Sequence, residues 1–140
     1  MTAAPGLNAR QVTQYLDEVW PGVTSSMTIE EVGGRRARVR THVGDNGLRP
    51  GGIVSGPVLM SLADSAVWAA IIGVLGDAAL AVTVSLTIHF LRPVPPGDVV
   101  AEAQLHKVGR RLATGDVLLY ADGQAEPVAH ATVTYALPQS

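Results

Sequence analysis

Asp64 is the one charged residue in the longest apolar stretch of this chain, which runs from Ile53 to Gly76. A carboxylate there loses hydration and must be protonated, paired or hydrogen-bonded. Carboxylates in such surroundings serve as acids, bases or nucleophiles. A carboxylate held by an arginine or by backbone donors at a subunit contact is an equally good reading. A second chemical candidate opens the same stretch at Ser55-Gly56-Pro57. Pro57 suits a first helical turn and Ser55 can supply an N-cap oxygen. Gly56 admits close approach, and the free N–H groups at the positive end of a helix can polarise a carbonyl and hold an oxyanion. A plain helix cap is the simpler alternative. Eight residues separate Gly56 from Asp64, about 12 Å along a helix. Both groups of one chain therefore cannot reach one carbonyl carbon. If both act, they come from different subunits, and the working unit is a homodimer or a homotetramer.

Arg92, Lys107, Arg110 and Arg111 are candidates for binding phosphate groups, with solvated turn charges as the alternative for each. The four histidines show no ligand spacing, and no metal or cofactor is expected. The absence of cysteine excludes thiolate nucleophiles, disulfides and Cys-based metal sites. A net charge of −2 offers nothing to a nucleic-acid partner.

These residues must be positioned by a small molecule. The 140 residues suit one domain over 1–140, and 47% hydrophobic content with only six aromatic residues demands a core of Val, Leu, Ile and Ala. A helix is expected from about Asn8 to Trp20, where Val12, Leu16 and Trp20 recur at four-residue spacing; Asn8 is its N-cap and Pro21-Gly22 its end. Two strands follow, joined at Gly33-Gly34. In the second, Arg36, Arg38, Arg40 and His42 alternate with Ala37, Val39, Thr41 and Val43. The apolar stretch then predicts one helix with no polar side, hence a buried one. It is long enough to span a bilayer, but Asp64 near its centre opposes insertion by about 2.5–3.5 kcal/mol, so no membrane is expected. Four strands come after it. In the first of these, Val82, Val84, Leu86, Ile88 and Phe90 are expected on one face, with Thr83, Ser85, Thr87 and His89 on the other. Residues 1–10 carry no apolar run, so no secretory signal is read and cytoplasmic residence is the default. The fold class is α+β, with five or six antiparallel strands around one central helix and a short helix before them.

The segment from Gly52 to Ala66, Gly-Ile-Val-Ser-Gly-Pro-Val-Leu-Met-Ser-Leu-Ala-Asp-Ser-Ala, resembles the central-helix signature of the PaaI-type hot-dog thioesterases. Val82–Pro93 resembles the strand that follows that helix, and Val108-Gly-Arg-Arg-Leu112 the turn into the next; the similarity covers about residues 35 to 136. This resemblance implies hydrolysis of an acyl-CoA without a metal. It implies Asp64 as general base or nucleophile, and the Gly56 N–H as the group that polarises the thioester. By the same resemblance Thr83 helps to place water and Asn46 is the loop asparagine; Ser55 is a further candidate for contact with substrate. Family members usually carry His-Gly-Gly before this helix, where this chain has Ser55-Gly56-Pro57; Gly51-Gly52 lies four residues too early. The alternatives are a non-catalytic acyl-CoA-binding protein and a hot-dog hydratase or dehydratase. The latter chemistry usually needs a histidine near the helix, and none lies between His42 and His89.

Overall fold

The computed structural model describes residues 6–139. Of the leading residues read for a secretory signal, 1–5 lie outside it. The first helix, α1 (Ala9–Val19), is held at its start by a reciprocal cap: Asn8 accepts from the Gln11 N–H, and the Gln11 side chain accepts from the Asn8 N–H, both at 2.9 Å. Val12 and Leu16 face inward. Trp20, just past its end, meets Trp68 edge-on with ring centroids 5.9 Å apart.

Strands β1 (Thr28–Gly33) and β2 (Arg36–Val43) form the expected hairpin, with its turn at Gly34-Arg35 rather than Gly33-Gly34. Both turn residues have positive φ, 59° and 63°, which suits the right-handed twist of the flanking strands. A two-residue ribbon follows, β3 (Leu48–Arg49) and β4 (Ile53–Val54). Gly51 and Gly52 sit in its turn at φ values of 100° and 73°. That is why this glycine pair lies apart from the start of the next helix.

The apolar stretch is a single helix, α2 (Gly56–Leu75), as its composition requires. Leu62, Ala63, Ala66, Val67, Ala70 and Ile71 are among its buried side chains, so it is the core helix of the molecule. The remaining strands are β5 (Val82–Phe90), β6 (Gly97–Val108), β7 (Leu112–Ala121) and β8 (Ala129–Ala136). Six strands make one antiparallel sheet in the order β1-β2-β6-β7-β8-β5, and α2 lies chiefly across β6, β2 and β7. Alanines on both surfaces, such as Ala66 and Ala70 on the helix and Ala101, Ala113 and Ala131 on the sheet, let the two layers approach closely with few aromatic side chains. This is the expected hot-dog architecture, a sheet curled around one long helix.

The expected face assignment of β5 needs correction. A bulge between Thr83 and Ser85 shifts the register, so that Thr83 pairs with Tyr135 while Leu86 pairs with Val133. Thr83 therefore shares the helix-facing side with Leu86, Ile88 and Phe90, and Val82 joins Ser85, Thr87 and His89 on the outer side. One extra residue reverses the alternation locally.

Candidate active site

Asp64 sits two turns into α2, half-buried, on the flank of the helix toward β5 and β8. Among the described residues neither an arginine nor a backbone donor holds it. Its Oδ1 instead accepts from two hydroxyls, Thr83 Oγ1 at 2.8 Å and the Tyr135 phenol at 2.8 Å. The phenol also lies 3.1 Å from the Asp64 carbonyl oxygen. Thr83 reaches the carboxylate because of the β5 bulge, and Tyr135 because it ends the inward row Ala129, Ala131, Val133, Tyr135 on β8. Burial pushes the Tyr135 phenol above its usual range, opposed by Thr83 and reinforced by the Asp64 charge. The phenol therefore keeps its proton and remains a donor. Sequence reasoning missed Tyr135 as a site residue. Its signal was a hydroxyl at the end of an otherwise apolar inward row, which must find a partner when buried.

Gly56 is the first residue of α2, and no side chain caps the helix. The Ser55 hydroxyl does not supply the expected N-cap bond; the Ser55 N–H is tied back to the Gly47 carbonyl at 2.9 Å instead. Pro57 has no N–H, so the positive end of the helix offers one donor fewer. The space at Gly56 is bounded by the half-exposed Phe90 ring, which a Cβ there would meet at 3.2 Å. Asn46 is exposed in the short 3-10 turn Asp45–Gly47, in a shallow recess it shares with Val58 of the first helical turn. It thus belongs to the Gly56 end and not to the Asp64 end of its own chain.

The sheet register sorts the four basic residues. Ala113, Tyr135 and Thr83 lie in one row across β7, β8 and β5. Lys107, Arg110 and Arg111, all exposed, cluster at the β6–β7 turn beside that row. Arg92 lies past the other end of β5, beyond Phe90, where it pairs with Glu126. About seven strand residues, roughly 20 Å, separate the two ends. One chain therefore brings Asp64, Thr83 and Tyr135 together with Arg110 and Arg111 nearby, and groups Gly56, Ser55, Asn46 and Arg92 elsewhere.

β5 is an edge strand whose flank no described residue covers. Leu80 (83% exposed), Val82 (61%) and Val84 (58%) form an apolar rim at the Asp64 end of that edge, and Phe90 (51%) lies at its Gly56 end.

Residues 51–128 match the family model of the thioesterase superfamily. A solved structure from Silicibacter sp., provisionally called a thioesterase, is 38% identical over 95% of this chain and 93% of its own, with a TM-score of 0.85. A protein from Ralstonia eutropha, provisionally called a phenylacetic acid degradation-related thioesterase, is 26% identical over 90% of this chain and 98% of its own (TM-score 0.78). A variant of the phenylacetic acid degradation protein PaaI from Thermus thermophilus is 29% identical over 79% of this chain and 92% of its own (TM-score 0.69). No curated protein sequence gives a significant match.

Proposed function

This chain belongs to the thioesterase superfamily, and from that premise we propose that it hydrolyses acyl-coenzyme A in sites shared between two subunits. The observation that carries the reading is Asp64, a carboxylate on the core helix held by hydroxyls alone, at the open edge of the sheet. Its described partners are two neutral hydroxyls, and Asp64 is assigned the role of base. Water adds to the thioester carbonyl carbon while Asp64 takes its proton. The carbonyl oxygen gains charge and is held by the Gly56 N–H of the other subunit. The C–S bond then breaks, and the thiolate recovers the proton to give free acid and coenzyme A. Attack by Asp64 itself, followed by hydrolysis of the anhydride, uses the same groups.

The shared site follows from the separation of Gly56 and Asp64, about 12 Å within one helix. The exposed apolar edge at β5 favours it as well, since a long uncovered edge strand is a surface for strand pairing. In such a site Arg110, Arg111 and Lys107 of one subunit and Arg92 of the other flank the substrate and can meet its phosphates. Asn46, Ser55 and the Gly56 N–H come from one subunit, Asp64 and Thr83 from the other. Cytoplasmic residence of a single-domain enzyme remains part of the proposal.

The test is free-thiol release from a panel of acyl-CoAs. Wild-type protein should turn over at least one of them, and Asp64→Asn should reduce that rate by about 10²–10⁴-fold while remaining folded. Binding without thiol release across the panel would instead support the acyl-CoA-binding alternative. An unchanged rate in folded Asp64→Asn would refute the assigned role of Asp64.

A further inference from the structure

We infer that Tyr135 is a positioning residue for Asp64, and that together with Thr83 it assigns Asp64 Oδ2 as the oxygen that acts on water or on the thioester. The inference rests on the reaction proposed above and deepens it.

Both hydroxyls converge on the same oxygen. Thr83 Oγ1 and the Tyr135 phenol each stand 2.8 Å from Oδ1, supplied side by side by the paired strands β5 and β8. An ionised carboxylate offers about four lone-pair positions on two oxygens. Two donors on Oδ1 occupy that oxygen and fix the rotation of the carboxyl plane, while no described side chain donates to Oδ2. The reactive oxygen is thereby distinguished from its twin by geometry alone.

Tyr135 is better suited to this task than Thr83. Thr83 is exposed and its hydroxyl can turn toward water, whereas Tyr135 is buried and its ring packs in the core. Its single proton is shared between Oδ1 at 2.8 Å and the Asp64 main-chain oxygen at 3.1 Å, a bifurcated bond that sets the phenol against helix backbone and side chain together. A ring fixed by the core therefore registers the carboxylate against the strand. A buried polar group without a partner is unfavourable, so the phenol and the carboxylate constrain each other.

The experiment compares Tyr135→Phe, Asp64→Asn and the double variant with wild type, on the acyl-CoA that wild type hydrolyses best. Tyr135→Phe removes one oxygen and keeps the ring. Its kcat should fall about 10- to 100-fold with KM changed less than about twofold, because the lost bond orients the reacting group without touching the substrate. In the Asp64→Asn background the same change should have almost no further effect, since the group it orients is already disabled. Thr83→Ser should keep most of the activity, and Thr83→Val should fall in the same direction as Tyr135→Phe.

A wild-type kcat in folded Tyr135→Phe, with Asp64→Asn inactive, overturns the inference and leaves the proposed reaction standing. Equal losses from Tyr135→Phe in both backgrounds overturn it too, since the phenol would then act independently of Asp64. Full activity in Asp64→Asn refutes the reaction itself. Should Tyr135→Phe fail to fold, fluorotyrosine at position 135 replaces it. Its ¹⁹F resonance should move on Asp64→Asn, and an unmoved resonance contradicts the contact.

Discussion

At the scale of single residues, the site depends on which groups have room and which do not. Gly56 has little: a Cβ there meets the Phe90 ring, but that ring is half-exposed and can turn away. Gly56→Val should therefore fold, checked by circular dichroism, while its side chain obstructs the adjacent N–H and removes most thioester hydrolysis. Tyr135 makes a prediction of a different kind. Its phenol is held above the ordinary value of 10.0, first by burial and further by the Asp64 charge. A group whose folded value is raised stabilises the fold below its unfolded value, and that contribution is lost as pH climbs toward the folded one. Wild type should lose stability as pH rises past 10, and Tyr135→Phe should lose less of it over the same window. Urea titrations at pH 8 and above pH 10 measure the difference.

Elements carry the next set of constraints, and two strand irregularities do most of the positioning. The β5 bulge turns Thr83 toward the helix; in a strictly alternating strand it would face outward beside Ser85 and Thr87. On β6 a second bulge lies between Leu105 and Lys107, opposite Gly115 of β7. A Cβ at Gly115 would stand 2.7 Å from the Gln104 carbonyl oxygen and 3.1 Å from Leu105 Cδ2. Backbone cannot yield as a side-chain tip can, so Gly115→Ala should destabilise by about 1–3 kcal/mol, read from its urea midpoint. Asp116 of β7 stitches β6, β7 and β8 together, with His106 of β6 at 2.9 Å and Thr132 of β8 at 2.9 Å. Burial pushes its carboxyl up, yet the bonds from His106 and Thr132 leave it below the ordinary 3.8. Its contribution is thus present above that pH and lost as pH falls through the depressed value. Acid titrations should show this component in wild type and not in Asp116→Asn.

For the whole molecule, the separation of Gly56 from Asp64 and the bare β5 edge lead to the same expectation of paired subunits. Light scattering at working concentration should give a dimer or tetramer, and an active monomer would contradict the shared site. Complementation is the sharper measurement. Asp64→Asn and Gly56→Val, co-refolded in equal amounts, form mixed dimers with one doubly altered site and one intact site. Random pairing makes half of the dimers mixed, so roughly a quarter of wild-type activity should return, while each variant alone stays nearly inactive. Folded variants that exchange subunits without regaining activity would remove Gly56 from its assigned role.

Periodicity and composition were enough to read the two helices, the capping role of Asn8 and the β1–β2 hairpin, because each follows from a local pattern. The isolation of Asp64 in an apolar helix was equally plain. Other features depended on neighbours distant in sequence. Strand order across β2, β6, β7, β8 and β5 is set by long-range pairing, and one inserted residue in β5 leaves no mark in the sequence, since Val82-Thr83-Val84-Ser85 alternates well without it. Ser55 has the chemistry of an N-cap, but the tie from its N–H to Gly47 belongs to the tertiary fold, and its hydroxyl makes no cap. Tyr135 and Asp64 are 71 residues apart, and only the closure of β8 against the helix brings the phenol to the carboxylate. Local pattern determined what the elements are and which residue is chemically unusual; tertiary pairing, which local pattern does not encode, decided what that residue touches.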